Sequence, residues 1–535
     1  MSSEDLASRP ARHAISRTIA TLCGPRERLV PYTAAAFLLL VFCIAFLKAL
    51  YKPLWFDEII SVLITKLDNS GAIWAIASSG TDGQPPIYDY IVRACVSLFR
   101  NDALGLRFPS IVGFVIFCWS LYLLATPRTS RVYGLISLIL PALTGCWYYA
   151  TEGRPYGLLL GAAGLAALSW QAVAVNESAR LRNWALLALA ASLAFALSIH
   201  YYAPLLIVSL GLAEVVRTFR RRKFDLAVWV AFAIPLLILI PYFPLIRSTR
   251  ENSGEAVTWA SPAWYRSILS TASDLLGPSL IVLIGMALIF FLYRLFAGER
   301  RGMSASMGTD PDVPWVEGCL AISFTLLPVF GVALSRWVTH VFFTRYVVAA
   351  TLGLTLLITL SLWIVFSGRR APALLIVLML TAFFGYNAAH EVAAALGERS
   401  HPSMKDLQNR LPAEALNDSL PIVISDAFTL LDLRYYANPE FLGRIFYVSN
   451  EAAAKRVLGY TIGERIVKGG APYFRMQVID YKDFIRDHKV FDLFGAPEWL
   501  GTQLLADGAR IRLLQYSWPQ GGGGKFLFRV EIPPK

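Results

Sequence analysis

Eleven apolar runs constrain this chain more than any other feature of its 535 residues. They occupy roughly 30–50, 105–125, 132–150, 155–175, 184–202, 203–217, 226–246, 277–297, 316–335, 347–367 and 371–393. A helix crosses a hydrocarbon core of roughly 30 Å with about 20 apolar residues. Inside that core a backbone N–H or C=O has no water to bond, so a chain rich in such runs must satisfy itself as helices. Composition agrees: 56% of the residues are hydrophobic and 16% are charged, against about 25% charged in a soluble domain. The expectation is a polytopic α-helical membrane protein with about eleven transmembrane helices.

The loops give the chain a direction. Arg9, Arg12, Arg17, Arg26 and Arg28 precede the first run. If that arm (1–29) is cytoplasmic, alternation puts Arg128 and Arg131, then Arg180 and Arg182, on the same side. The run Arg217, Arg220, Arg221, Arg222, Lys223 follows them, as do Arg300, Arg301, Arg369 and Arg370. Basic loops gathered on one side orient a membrane protein, and an odd number of spans leaves the C-terminal region outside. The net charge of +12 is therefore a property of the loops, and no interleaved basic and aromatic surface points to nucleic acid. The first apolar run is followed by no small-residue cleavage site, so it is expected as a retained anchor. The six cysteines have no metal-ligand spacing and suggest no disulfide framework.

The opposite side receives the long first loop, 51–104, in which Ile87, Tyr90, Ile91, Ala94, Cys95 and Leu98 recur at helical spacing, with Asp89, Arg93 and Arg100 opposite. This pattern predicts an amphipathic helix in the interface. From about residue 400 the composition turns soluble. Strands are expected at 421–425 and 526–530 and a helix at 451–458, giving a small α/β domain over 400–535. Gly521 to Gly524 read as a loop with no helix behind it, and no nucleotide-binding fingerprint is present.

Four charged stretches at outer ends of the runs carry chemistry. Asp57-Glu58 follows the first run; it fits a general base or a cation ligand, and equally a carboxylate pair stabilised at a helix start. Asp82 and Gln84 precede Pro85-Pro86, which fix the turn in front of Tyr88. Glu152 and Arg154 form a charged corner before Tyr156, and Arg345 heads a later run. Each arginine suits a phosphate or carboxylate, or snorkels to lipid headgroups. His200 and His340 sit at outer ends, where a structural role fits as well as a catalytic one.

In chain order stand FDE, PPIYDY, LGLRFPSIVG, TEGRPYGLLL, HYYAPLL and TRYVVAATLGL, before a soluble tail. This order resembles the membrane glycosyltransferases of the GT-C fold, in the group of the protein O-mannosyltransferases and the lipid A aminoarabinose transferase. The resemblance covers most of 30–370. It implies a polyprenyl-phosphate sugar donor and an acceptor that is a lipid, a glycan or a protein. The reaction would take place on the outer face of a bacterial inner membrane. Asp57 matches the family's catalytic acidic position, with Glu58 beside it. Asp82 and Gln84 match the segment before the double proline, although many relatives carry a basic residue where Gln84 stands. Glu152 and Arg154 match the corner that engages the donor phosphate or supports the site.

The implied catalytic set is thus Asp57, Glu58 and Glu152. The implied substrate-binding set is Asp82, Gln84, Tyr88, Arg154, Tyr156, His200 and Arg345. No cofactor is implied, and a divalent cation is left open. A transporter or flippase predicts broken helices with midplane charges and internal repeats; a polysaccharide ligase is the nearer alternative.

Overall fold

The computed structural model describes residues 25–176, 178–253, 264–298, 314–400, 419–437, 442–495, 497–517 and 525–533. Every one of the eleven apolar runs is helical there. Among the described residues, eight helices are long and apolar enough to cross a membrane. The run at 132–150 is instead a pair, Arg131–Leu143 and Gly145–Thr151, bent by 72°. Helix Pro204–Arg221 carries Glu214 and three arginines, and Ala350–Val365 has only 16 residues. The most N-terminal arginines, the loop with Arg300 and Arg301, and the glycine run at 521–524 lie outside the described residues.

The helices nearest the predicted site are α1 (Pro25–Tyr51), α2 (Phe56–Thr65), α3 (Ser70–Ser78), α4 (Pro86–Phe99), α5 (Asp102–Ala125), α6 (Arg131–Ile139) and α7 (Tyr156–Val175). Helices α5 and α7 meet along a seam of small residues. A Cβ on Gly113 would lie 2.3 Å from the Gly157 carbonyl oxygen, and one on Gly157 would lie 2.4 Å from that of Ser110. In lipid, where no hydrophobic force drives helices together, such close approach is a main source of packing energy. The seam fixes the start of α7, and with it the Glu152–Arg154 corner just before it.

The first outer loop folds as α2, α3 and α4. Their apolar faces close on Ile59, Ile60, Ile64, Ile73 and Ile76, with Val92 and Leu106. Helix α4 packs Ile87, Tyr90 and Ile91 of its predicted stripe against this cluster, while Leu98 near its end is 74% exposed. Its opposite face does not meet water throughout, as its polarity suggested it would. Its first turn is covered, so that Asp89 is buried and accepts a hydrogen bond from Gln84 Nε2 at 3.0 Å, while Arg93 is half-buried and Arg100 exposed.

The C-terminal region holds a six-stranded sheet: β1 (Ile422–Ile424), β2 (Ile445–Ser449), β3 (Gln477–Asp480), β4 (Val490–Gly495), β5 (Arg510–Ser517) and β6 (Lys525–Glu531). The order is β3-β2-β1-β4-β6-β5. The first four strands pair in parallel, while β6 runs antiparallel to both β4 and β5. Parallel pairs require crossovers, and helices Ala427–Tyr436, Glu451–Leu458 and Ile462–Phe474 are among those that supply them. Apolar clusters cover both faces of the sheet. This unit sits on α2: the Phe56 and Phe428 rings are 4.2 Å apart, and the Leu54 N–H donates to Tyr436 Oη at 2.9 Å. The Tyr435 hydroxyl donates to Asp102 at 2.8 Å.

Because the α5–α7 seam sets backbone against backbone, no side chain can move aside for a larger residue. Gly157→Val is expected to destabilise the protein by at least about 1–3 kcal/mol. The check is a lower melting temperature in detergent than that of Leu158→Val, one residue along the same helix.

Candidate functional site

The site starts from a charged group with no access to water. Arg107, fully buried in α5, directs its guanidinium at Glu58 with Nε to Oε1 at 2.8 Å and Nη2 to Oε2 at 2.5 Å. Its remaining N–H groups donate to the carbonyls of Ala49, Lys52 and Pro53 at the end of α1. Glu58 Oε1 also accepts from the Gly153 N–H at 2.6 Å. A Cβ on Gly153 would meet Leu106 Cγ at 2.3 Å, so only glycine brings its N–H this close. Burial alone would raise the Glu58 carboxyl, but Arg107 and the Gly153 N–H outweigh it and hold the group below the usual range. The two readings of the Asp57-Glu58 pair thus divide between its members. Glu58 is a structural anion in the first turn of α2, and Asp57 is left facing a cavity.

That cavity, of about 460 Å³, lies between the membrane helices and the C-terminal domain. Seven of the ten sequence-predicted residues line it: Asp57, Asp82, Gln84, Arg154, Tyr156, His200 and Arg345. Glu58, Tyr88 and Glu152 do not, all three being buried behind its wall. His340 is exposed and also lies off the cavity. A second hollow of about 540 Å³, beside Lys48, Trp147 and Glu391, contains none of the ten.

Arg154 is held from several sides. Nη2 donates to Asp82 Oδ1 at 3.1 Å, and Nη1 donates to Ser61 Oγ at 3.1 Å and to the Asp57 carbonyl at 3.4 Å. The backbone behind it is tied to α5 by the Ser110 hydroxyl, which donates to the Arg154 carbonyl at 2.8 Å. Arg345 stacks over Phe343 at 4.5 Å and has no carboxylate within ion-pairing distance among the described residues. Both guanidiniums keep a buried Nε–H without a partner, and Asp82 Oδ2 and Gln84 Oε1 are unpartnered too. Asp57 is half-buried, and its carboxylate makes no ion pair or hydrogen bond among the described residues.

Charge is distributed unevenly over this wall. Burial pushes Asp82 and Asp89 up, each raising the other, while Arg154 opposes the shift. Burial, then the charge of Glu58, pushes Glu152 to about 7 against the pull of Arg345 and Arg154. His200 is pushed down to about 3, chiefly by burial and then by the two arginines, and its Nδ1 accepts the Tyr202 N–H at 3.1 Å. It is therefore a neutral ring, packed near Tyr156 and Tyr346, and does not supply cationic charge to a phosphate. Among the described residues no three His, Cys, Asp or Glu side chains gather to hold a metal ion, and the Arg154 guanidinium occupies the place beside Asp82.

Three groups of residues escaped the sequence reading. Arg107 had a visible signal, a charge inside an apolar run, which demands a partner. Tyr346, directly after Arg345, had none. The C-terminal residues on the far side of the cavity, Asp426 and Glu498 among them, lie hundreds of positions from Asp57, and no local pattern links them.

Residues 83–244 match the family described as dolichyl-phosphate-mannose-protein mannosyltransferase. That stretch includes Gln84, Tyr88, Glu152, Arg154, Tyr156 and His200. No curated protein sequence matches the chain. Among solved structures it is similar to ArnT from Cupriavidus metallidurans bound to undecaprenyl phosphate. The identity is 13% and the TM-score 0.56, over 93% of this chain and 97% of that one. ArnT from the same organism in the apo state aligns at 13% identity and a TM-score of 0.45, over 92% and 97%. The chain has the GT-C membrane fold that its motif order resembles.

Arg107→Ala leaves Glu58 as an unpaired buried charge and is expected to cost about 3–5 kcal/mol. The double variant Arg107→Met/Glu58→Met is expected to recover much of that loss, and thermal unfolding in detergent checks both. The carboxyl of Glu152, raised from its ordinary 4.5 to about 7, favours the folded state when protonated. Its contribution is complete below pH 4.5 and is lost as the pH rises through about 7. The melting temperature of wild type is therefore expected to fall relative to that of Glu152→Gln across this interval.

Proposed function

We propose that this chain is an integral-membrane glycosyltransferase. It moves a sugar from a polyprenyl-phosphate donor to the hydroxyl of a lipid, glycan or protein acceptor, with inversion at the anomeric carbon. The observation that carries the reading is the cavity itself. A carboxylate free of partners, Asp57, shares it with two guanidiniums that each keep an unpartnered N–H. The Asp57 charge acts on both arginines. The likeness in fold to a protein solved with undecaprenyl phosphate supports a lipid-phosphate donor.

In this reading Arg345 and Arg154 bind the donor phosphate. The acceptor oxygen attacks the anomeric carbon and its proton passes to the Asp57 carboxylate. The bond from that carbon to the phosphate oxygen breaks, and polyprenyl phosphate leaves with the electron pair, its charge balanced by the two arginines. A phosphate paired in this way needs no strong general acid. Glu58, committed to Arg107, acts as a positioning residue that sets the start of α2. Glu152 tunes the field behind Arg345, and Asp82 orients Arg154. The walls on both sides of the cavity limit the water that would compete with the acceptor.

The basic loops support an orientation with the N-terminal arm (1–29) in the cytoplasm of a bacterium and a catalytic domain (30–395) in its inner membrane. The first outer loop (51–104) and the domain at 400–535 then face outward, with membrane lipids around the spans.

The test is transfer from a panel of radiolabelled undecaprenyl-phosphate sugars in membranes. Asp57→Asn is expected to lower kcat by about 10²–10⁴-fold, the usual worth of a general base, with donor binding intact. Arg345→Ala is expected to raise the donor KM, with partial recovery in Arg345→Lys. Full transfer by Asp57→Asn would sink the assignment of the base.

A further inference from the structure

We infer that the C-terminal domain forms the acceptor half of the reaction chamber and takes a hydroxyl-rich, carbohydrate-bearing head group. The inference rests on the transferase reading and extends it to the acceptor. The far wall of the cavity is built by Asp426, Tyr447, Tyr460, Glu498 and Trp499 of that domain. It faces the wall of Asp57, Asp82, Gln84, Arg154 and Arg345. Both guanidiniums of the chamber thus lie on the membrane side, beside Asp57 and Asp82, while the other wall carries carboxylates and no lysine or arginine among its lining residues. A donor phosphate is repelled from the acidic wall, which leaves that wall to the second substrate.

Its chemistry is legible in what the wall lacks. Glu464 is fully engaged, accepting from the Tyr447 hydroxyl at 3.0 Å, the Ser449 hydroxyl at 2.5 Å and Trp499 Nε1 at 2.9 Å. It fixes both rings and is spent in doing so. The Glu498 carboxylate makes no hydrogen bond or ion pair among the described residues, and Asp426 uses Oδ1 on the Thr429 N–H at 2.7 Å. Across the cavity Asp82 Oδ2 and Gln84 Oε1, on side chains each 3% exposed, are buried acceptors without a donor. Buried acceptors left unpaired cost free energy until a ligand supplies donors.

The chamber offers unpartnered acceptors on both walls, with Trp55 Nε1 and Thr249 Oγ1 as unpartnered donors besides the arginines, all set among aromatic rings. A pyranose suits it, because its hydroxyls donate in several directions and its carbon faces pack on aromatic rings. A single ammonium group would call for acceptors converging on one point. The wall is also anchored beside the base, through Phe428 on Phe56 and Tyr436 on Leu54.

The experiment uses the full chain in nanodiscs, with binding followed by native mass spectrometry. The probes are monoglucosyl diacylglycerol, diacylglycerol, octadecylamine and undecaprenyl phosphate. The glucolipid is expected to bind in preference to diacylglycerol and octadecylamine. Glu498→Gln and Tyr460→Ala are each expected to weaken it by about tenfold, the size of one lost hydrogen bond to a charged group, and to leave undecaprenyl phosphate binding unchanged. Arg345→Ala is expected to do the reverse. Equal binding of glucolipid and diacylglycerol, preference for octadecylamine, or indifference to both wall variants would overturn the acceptor site while leaving the donor reading standing. Undecaprenyl phosphate binding that ignores Arg345→Ala would strike the donor reading and this inference together.

Discussion

The Arg107–Glu58 pair is the constraint on which the rest of the site depends. An arginine buried in an apolar helix can persist only if its charge and its N–H groups are matched. Here the match draws in the end of α1, the start of α2 and the corner at Gly153. Three segments that sequence keeps apart are thereby fixed to one guanidinium. Asp57 precedes one end of that arrangement and Arg154 follows the other, so the distance between carboxylate and cation is inherited from a group that touches neither. The interaction contributes less as net stability than as geometry, since a buried ion pair seldom outweighs an apolar replacement of the same shape.

Around this latch the cavity wall uses burial to separate the tasks of chemically similar groups. Five acidic side chains, Asp57, Glu58, Asp82, Asp89 and Glu152, lie within the same few helical turns. Glu58 is held anionic by a bidentate partner, while Asp89 and Glu152 are raised by burial. Asp82 is engaged with Arg154, while among the described residues neither Asp57 nor Glu152 has a hydrogen bond or ion pair to its carboxylate, and of these two only Asp57 lines the cavity. Desolvation and specific pairing pull such groups in opposite directions. A cluster that would be mutually repulsive in water is here sorted by burial and pairing into groups of different charge and exposure.

How much of this was legible depended on the range of each interaction. The apolar runs were readable because a helix in lipid needs no partner distant in sequence to satisfy its backbone, and all eleven are helical. The motif order carried seven residues into one cavity, since Asp57, Arg154 and Arg345 each mark an outer end of a run. The roles within the Asp57-Glu58 pair were not readable: they are decided by Arg107, 49 positions beyond Glu58. Asp89 was read on the polar face of an interfacial helix, and amphipathic periodicity tells that two faces differ, not what else in the chain comes to cover the polar one. The acidic wall beyond residue 420 was out of reach, its partners being set by how one domain rests on another.

That resting place has a consequence for how such a protein can diversify. The C-terminal unit holds to the membrane part through contacts around Leu54, Phe56 and Asp102 and through Leu431 and Phe474, which are buried in the core of the first outer loop. Its inward-facing loops are set by its own sheet. A lineage that keeps those footholds is free to exchange the rest of the unit, and so to change the far wall of the cavity without disturbing the wall that holds Asp57, Arg154 and Arg345. The boundary between the two parts is then a joint at which the inherited half of the machinery meets the half that is renegotiated.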